Sequence, residues 1–149
     1  MLMMFMFITP MAFAQSPPDV DSVTRTGDVK VATETEKIDP DQFTFVNDTS
    51  AERGTRTWRG ILSPGQGSMS APAVWLNAGQ TMVVTANWGP NWCTFRVGMI
   101  AQSGGVFYYG SGSGGALTVY CTAVVGGYYY PAVQNMGPDT ASFAAVATW

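Results

Sequence analysis

The chain has 149 residues, 46% of them hydrophobic and only 11% charged, with net charge −3, two cysteines and no histidine. That length and composition suit one domain with a sizeable core. The missing histidine excludes Ser-His-Asp and Cys-His nucleophile systems and the usual zinc sites, and the small negative charge offers no footprint for nucleic acid or an anionic membrane.

Met1 to Ala14 is an apolar run ending in Ala12-Phe13-Ala14, the pattern of a signal peptide with an A-x-A cleavage site, although no Lys or Arg precedes it. The run is too short to span a bilayer. Residues 1–14 are therefore expected to be a signal peptide, and the mature chain is expected to be secreted or extracellular, in the periplasm or at the cell surface. Residues 15–41 read as a charged extended arm or linker, and 42–149 as a β-sandwich domain. The charges divide the same way. From Gly60 to Trp149 only Arg96 and Asp139 are charged, and nearly all the rest lie between Asp19 and Arg59.

Within the arm, Ser16 to Pro18 is a polar leader, alternation from Asp19 to Lys37 is weak, and Ile38 to Asp41 reads as a turn. Gln42 to Val46 is a short strand. A polar loop follows, containing Asn47-Asp48-Thr49, a sequon that puts glycosylation of Asn47 in question only where the host glycosylates. Further strands are expected at Thr55 to Leu62, Ala73 to Leu76, Thr81 to Trp88, Trp92 to Ile100, Val106 to Tyr109, Ala116 to Val125, Tyr128 to Gln134 and Thr140 to Trp149. Gly, Pro or Asn marks nearly every junction. The spacing predicts an all-β fold, an antiparallel jelly-roll-like β-sandwich of about eight strands.

Side chains two apart on a strand share a face. Cys93 is in phase with Phe95, Val97 and Met99, and Cys121 with Leu117, Val119, Ala123 and Val125. In an exported chain these two cysteines are expected to form one internal disulfide, closing a loop of about 28 residues worth roughly 3–4 kcal/mol.

Leu62 to Gln66 (LSPGQ), Leu76 to Trp88 (LNAGQTMVVTANW) and Gly127 to Pro138 (GYYYPAVQNMGP) resemble bacterial pre-peptidase C-terminal-type domains. The resemblance covers roughly Thr57 to Trp149. It implies a small secreted jelly-roll sandwich of the kind appended to exported enzymes as an accessory module. This chain departs from that pattern by carrying no attached enzyme and by its cysteine pair.

Catalytic groups are scarce. Glycoside hydrolysis needs two flanking carboxylates; the body supplies only Asp139, so a partner such as Asp48 or Glu52 would have to come from the N-terminal segment. Asp39, Asp41 and Asp48 lack the spacing of a calcium loop. No phosphate-binding glycine motif is present, and Gly110 to Gly115 reads as a hairpin loop. The expectation is a non-enzyme with no cofactor and no metal.

Aromatic residues remain. Trp88 and Trp92 flank a tight turn, and Tyr108-Tyr109 and Tyr128-Tyr129-Tyr130 alternate between faces. Such rings can stack on sugars, anchor a protein or fill the core. Trp92, Tyr129, Tyr109 and Trp88 are the candidate ligand-binding residues, with Trp88, in phase with Met82 and Val84, also fitting the core. The expected function is a non-catalytic secreted module that binds a neutral polysaccharide or a cell-surface protein. The alternative is a self-associating structural subunit of a fibre or matrix whose uncharged edges accept the arm of a neighbouring copy. A membrane-inserted barrel is disfavoured because few stretches reach the length of a spanning strand.

Overall fold

The computed structural model describes residues 26–47 and 54–149. The expected signal peptide, the Ser16 to Pro18 leader, the Asp48 and Thr49 part of the sequon and Glu52 lie outside those residues.

Two packed β-sheets follow from the alternation read in the sequence. The first has the order β1 (Asp28–Val31), β10 (Ala116–Thr122), β7 (Thr81–Gly89), β12 (Ala141–Thr148), β4 (Thr55–Leu62). The second runs β2 (Glu34–Lys37), β9 (Val106–Gly112), β8 (Phe95–Ala101), β11 (Gly127–Asn135), β5 (Gly67–Ala71), β3 (Phe43–Asn47). The short strand β6 (Val74–Leu76) also pairs with β11, beside Gly127 to Tyr129, while β5 takes Ala132 to Gln134. Pro72 lies between β5 and β6. With no N–H to give to the ladder, it marks the break in what would otherwise be one long strand.

The inner faces carry the residues whose period of two is clearest. Met82, Val84, Ala86 and Trp88 of β7 pack with Leu117 and Val119 of β10 and with Phe143, Ala145 and Ala147 of β12; Phe95, Val97 and Met99 of β8 and Val133 of β11 meet them from the second sheet. Trp88 and Phe95 stack across the gap with centroids 4.6 Å apart and planes 11° apart. Each large apolar side chain buried in this way contributes about 1.5–3 kcal/mol. Asn135, fully buried, ties the end of β11 to its surroundings. Its Nδ2 donates to Leu62 O (3.0 Å) and Asp139 O (2.8 Å), and its Oδ1 accepts from Gly137 N (2.9 Å).

Three expectations are corrected. Twelve strands form among the described residues rather than about eight, because the arm contributes β1 and β2, and β5 forms where no strand was expected. The sheets are mixed rather than purely antiparallel, since β1 runs parallel to β10 and β3 parallel to β5.

The third correction concerns the disulfide: Cys93 and Cys121 are both buried and both free. Cys121 sits beside Met82 at the start of β7, while Cys93 lies past Gly89 at its other end. Seven strand steps of about 3.3 Å separate the two levels by roughly 23 Å, against a Cα separation under about 7 Å in a disulfide. The cysteines share a core but not a level in it.

The arm pairs with its own chain. β1 extends the first sheet at β10, with Ala32 N donating to Tyr120 O at 2.9 Å as the chain leaves it. β2 then extends the second sheet at β9. From there a strap, Ile38 to Gln42, crosses the outer face of the second sheet and delivers β3 to its far edge at β5. Asp39 shapes the strap by accepting from Asp41 N at 3.0 Å through Oδ1, which caps a single 3-10 turn. The strand expected to be donated to a neighbouring copy is used in cis.

Candidate functional site

Three of the four aromatic candidates are buried. Trp88 is stacked on Phe95, and its Nε1 donates to Cys93 O at 2.8 Å. Tyr129 points inward, and its hydroxyl donates to Val125 O at 2.7 Å. Tyr109 lies on the outer face of the second sheet but beneath the arm, with the Arg96 guanidinium 4.6 Å from its ring centroid. Burial raises the pKa of both tyrosines. None of the three offers a ring face to a ligand, because each fell on the inward or covered side of its strand. Trp92 is 63% exposed, and its Nε1 donates to Asp139 Oδ2 at 2.7 Å.

An exposed apolar group lies at the other end of β7. Trp75 of β6 and Tyr128 of β11 are register partners, each 51% exposed, with ring centroids 5.1 Å apart and planes at 75°. The β10–β11 loop adds Val124 and Val125, 77% and 64% exposed. Gly126 brings that loop against the indole: a Cβ built there would lie 3.5 Å from Trp75 Cζ2. Asn77 Oδ1 accepts from Trp75 Nε1 at 3.1 Å and holds the indole edge. The adjoining turn is locked to the loop by Gly79 N to Ala123 O (2.7 Å) and Ala123 N to Gln80 O (2.9 Å).

The same outer face continues through Tyr130, two residues on, which packs against Phe45 of β3 at 5.3 Å and 68°. Below the strap this face has its own small core of Phe43, Met69, Ile100, Phe107, Tyr109 and Ala132. The strap divides what remains open. On one side is a recess of about 180 Å³ bordered by Gln42, Gln134 and the Arg96–Glu36 ion pair. On the other is a mainly apolar recess of about 410 Å³ lined by Ile38, Phe45, Met69, Ile100 and Tyr130, with Lys37 at its border.

Among the described residues no three His, Cys, Asp or Glu side chains lie together. The exposed end can bury area and direct a few hydrogen bonds; it presents no acid–base pair or nucleophile. Sequence reasoning passed over Trp75 and Tyr128. Trp75 sits between two buried neighbours, Val74 and Leu76, so alternation marks it as outward, and that was the available signal. Its pairing with Tyr128 depends on register, which a single sequence does not show.

No family model matches the chain, and no curated protein matches it. Among solved structures it is similar to the crystal structure of PliG from Aeromonas hydrophila, a periplasmic lysozyme inhibitor of g-type lysozyme. The TM-score is 0.50 at 18% sequence identity, over 72% of this chain and 96% of that chain. The likeness is one of fold.

Proposed function

We propose that this chain is an exported, non-catalytic binding module that docks a protein partner on the end formed by Trp75, Tyr128, Val124 and Val125. The observation that carries this is the exposure of those four residues as one group, when most other large apolar side chains among the described residues are buried. Exposed aromatic and aliphatic clusters on a rigid scaffold are where protein interfaces concentrate their affinity. Crossed rings favour a protein over a sugar polymer, because planes at 75° form a knob rather than a flat stacking platform. The pre-peptidase C-terminal-type resemblance supports the same class, an exported accessory module. The shared fold with a lysozyme inhibitor is an analogy of scaffold that makes a g-type lysozyme the first partner to try.

A second reading, a neutral glycan, is favoured by one feature. A cleft of about 540 Å³ is lined by Trp75, Trp149, Asn77 and Gln80, two indoles and two carboxamides.

The test is binding of the purified chain to immobilised g-type lysozyme and to peptidoglycan, with Trp75→Ala and Val124→Asp as variants. Both positions are exposed, so the fold should survive, as checked by circular dichroism. The protein reading expects lysozyme binding that weakens about tenfold or more in each variant. Retention on peptidoglycan lost only in Trp75→Ala would support the glycan reading. Lysozyme binding that neither substitution weakens would rule out this end as the docking surface.

A further inference from the structure

Trp92 is an exposed aromatic residue that docking at the Trp75 end leaves unused. The two lie beyond opposite ends of β7, whose eight strand steps of about 3.3 Å separate those ends by roughly 26 Å. The Trp92 indole is 63% exposed, and among the described residues no other ring and no cation packs on its face. Its Nε1 donates to Asp139 Oδ2 at 2.7 Å, which fixes a carboxylate at the ring edge. Asp139 is itself exposed, and its Oδ1 accepts no hydrogen bond among the described residues. It is the only acidic residue from Gly60 to Trp149, and the only cation of that stretch, Arg96, is taken by Glu36. The surrounding turns are held firmly. Asp139 O accepts from the buried Asn135 Nδ2 at 2.8 Å. Cys93, next to Trp92, donates its N–H to Pro90 O at 3.3 Å and packs against Gly137 so closely that a Cβ on that glycine would lie 2.6 Å from Cys93 Cβ. An indole face and a carboxylate oxygen are thus presented side by side with no cation supplied by the body. A guanidinium meets both demands, because it stacks flat on an indole and donates from a planar fork to a carboxylate. A neutral sugar would leave the charge of Asp139 unanswered.

We propose that Trp92 and Asp139 receive the guanidinium of an arginine side chain presented by a protein partner. The ring face takes the planar cation, and Asp139 Oδ1 accepts from its N–H groups. Both residues stand on exposed turns, which suits a side chain delivered by a polypeptide more than a small molecule enclosed on all sides. The molecule then carries two separate docking points at opposite ends of β7, an apolar one at Trp75 and a charge-selective one at Trp92.

The experiment is an NMR titration of the full chain with N-acetyl-arginine-amide at low ionic strength, where an exposed ion pair is least screened. It is read at the Trp92 indole N–H, assigned by its loss in Trp92→Phe, and at the Gly137 amide. It is repeated with the neutral isostere N-acetyl-citrulline-amide, with free L-arginine, and with Asp139→Asn, whose fold is checked by circular dichroism. The expected result is a saturable shift at both reporters. The citrulline compound should bind about fivefold or more weakly, and Asp139→Asn should weaken binding of the arginine compound about threefold or more. Trp75→Ala should leave it unchanged. Four results would overturn the proposal: no saturable shift at Trp92, equal binding of the citrulline compound, undiminished binding by Asp139→Asn, or shifts confined to the acidic residues of the arm. Tighter binding of free L-arginine than of the capped compound would assign the pair to a free amino acid and overturn the protein-docking site.

Discussion

The arm, residues 26–47, and the body, residues 54–149, form strands in the same two sheets by different means. In β1 and β2 every residue is exposed, whereas every residue of β5 and all but two of β10 are buried. The body is held by side chains and the arm mainly by ladder hydrogen bonds, with Phe43 as its one buried anchor. Charge follows the same division. The arm carries Asp28, Lys30, Glu34, Glu36 and Lys37 to sheet edges, where an uncharged strand would invite pairing with another chain. The low charge of the body is therefore no sign of a sticky molecule, because its edges at β10 and β9 are covered by strands that are charged. The aromatic end around Trp75 and the outer face of β1 and β10, with Val29, Val31 and Tyr120, remain as exposed apolar surface.

The sharpest way to break the contrast is in the body. A Cβ at Gly98 would lie 1.9 Å from Tyr108 O, a backbone atom that cannot move without parting β8 from β9. Gly98→Ala is expected to cost about 3 kcal/mol or more, read as a lower urea midpoint or failure to fold. Next comes the anchor of the arm. Phe43 lies over Gly67 and meets Phe107 edge-on at 5.8 Å. Phe43→Ala should cost about 3 kcal/mol and act locally: hydrogen exchange should lose protection in β3 while β7 and β12 keep theirs.

A smaller effect comes from pH. Burial pushes the Cys121 thiol up to about 12 from an ordinary value of 9.0. Its folded pKa is the higher one, so the stability it contributes is complete below pH 9 and is lost as pH rises from there through 12. Between pH 9 and 10 the loss should be about 1 kcal/mol, and Cys121→Ala should remove that part of the pH dependence. Tyr109 and Tyr129, also raised, act in the same direction. The smallest effect is again in the arm. Glu36 is half exposed, so Glu36→Gln, which breaks its pair with Arg96, should cost under about 1 kcal/mol in denaturant titration.

How much was legible in the sequence follows the same division. The inner faces of β7, β8 and β12 could be read because burial imposes a period of two on Met82 to Trp88, Phe95 to Met99 and Ala141 to Ala147. β3 could be read, as the strand Gln42 to Val46, but β1 and β2 could not, because backbone bonding leaves no pattern in side chains, and residues 15–41 read as an extended arm or linker. Phase also misled. It placed Cys93 and Cys121 correctly on inward faces, but a period of two carries no information about height along a strand, so a disulfide was expected where the two thiols lie at opposite levels. At the candidate site, the tight turn marked Trp92 as a candidate without deciding between core and surface, and the Trp75–Tyr128 pair depended on the register of β6 against β11.

The central claim is that the charged arm covers the edges of its own sheets at β10, β9 and β5, and does not reach β4, the other edge of the first sheet. The most direct measurement is the solution mass of the mature chain by light scattering after size exclusion, beside the same chain lacking everything through Asn47. The account predicts a monomer for the intact chain and larger species once the edges at β10, β9 and β5 are bare. Assemblies of the intact chain that fall to monomers when the arm is removed would contradict it, because the arm would then be serving a neighbour.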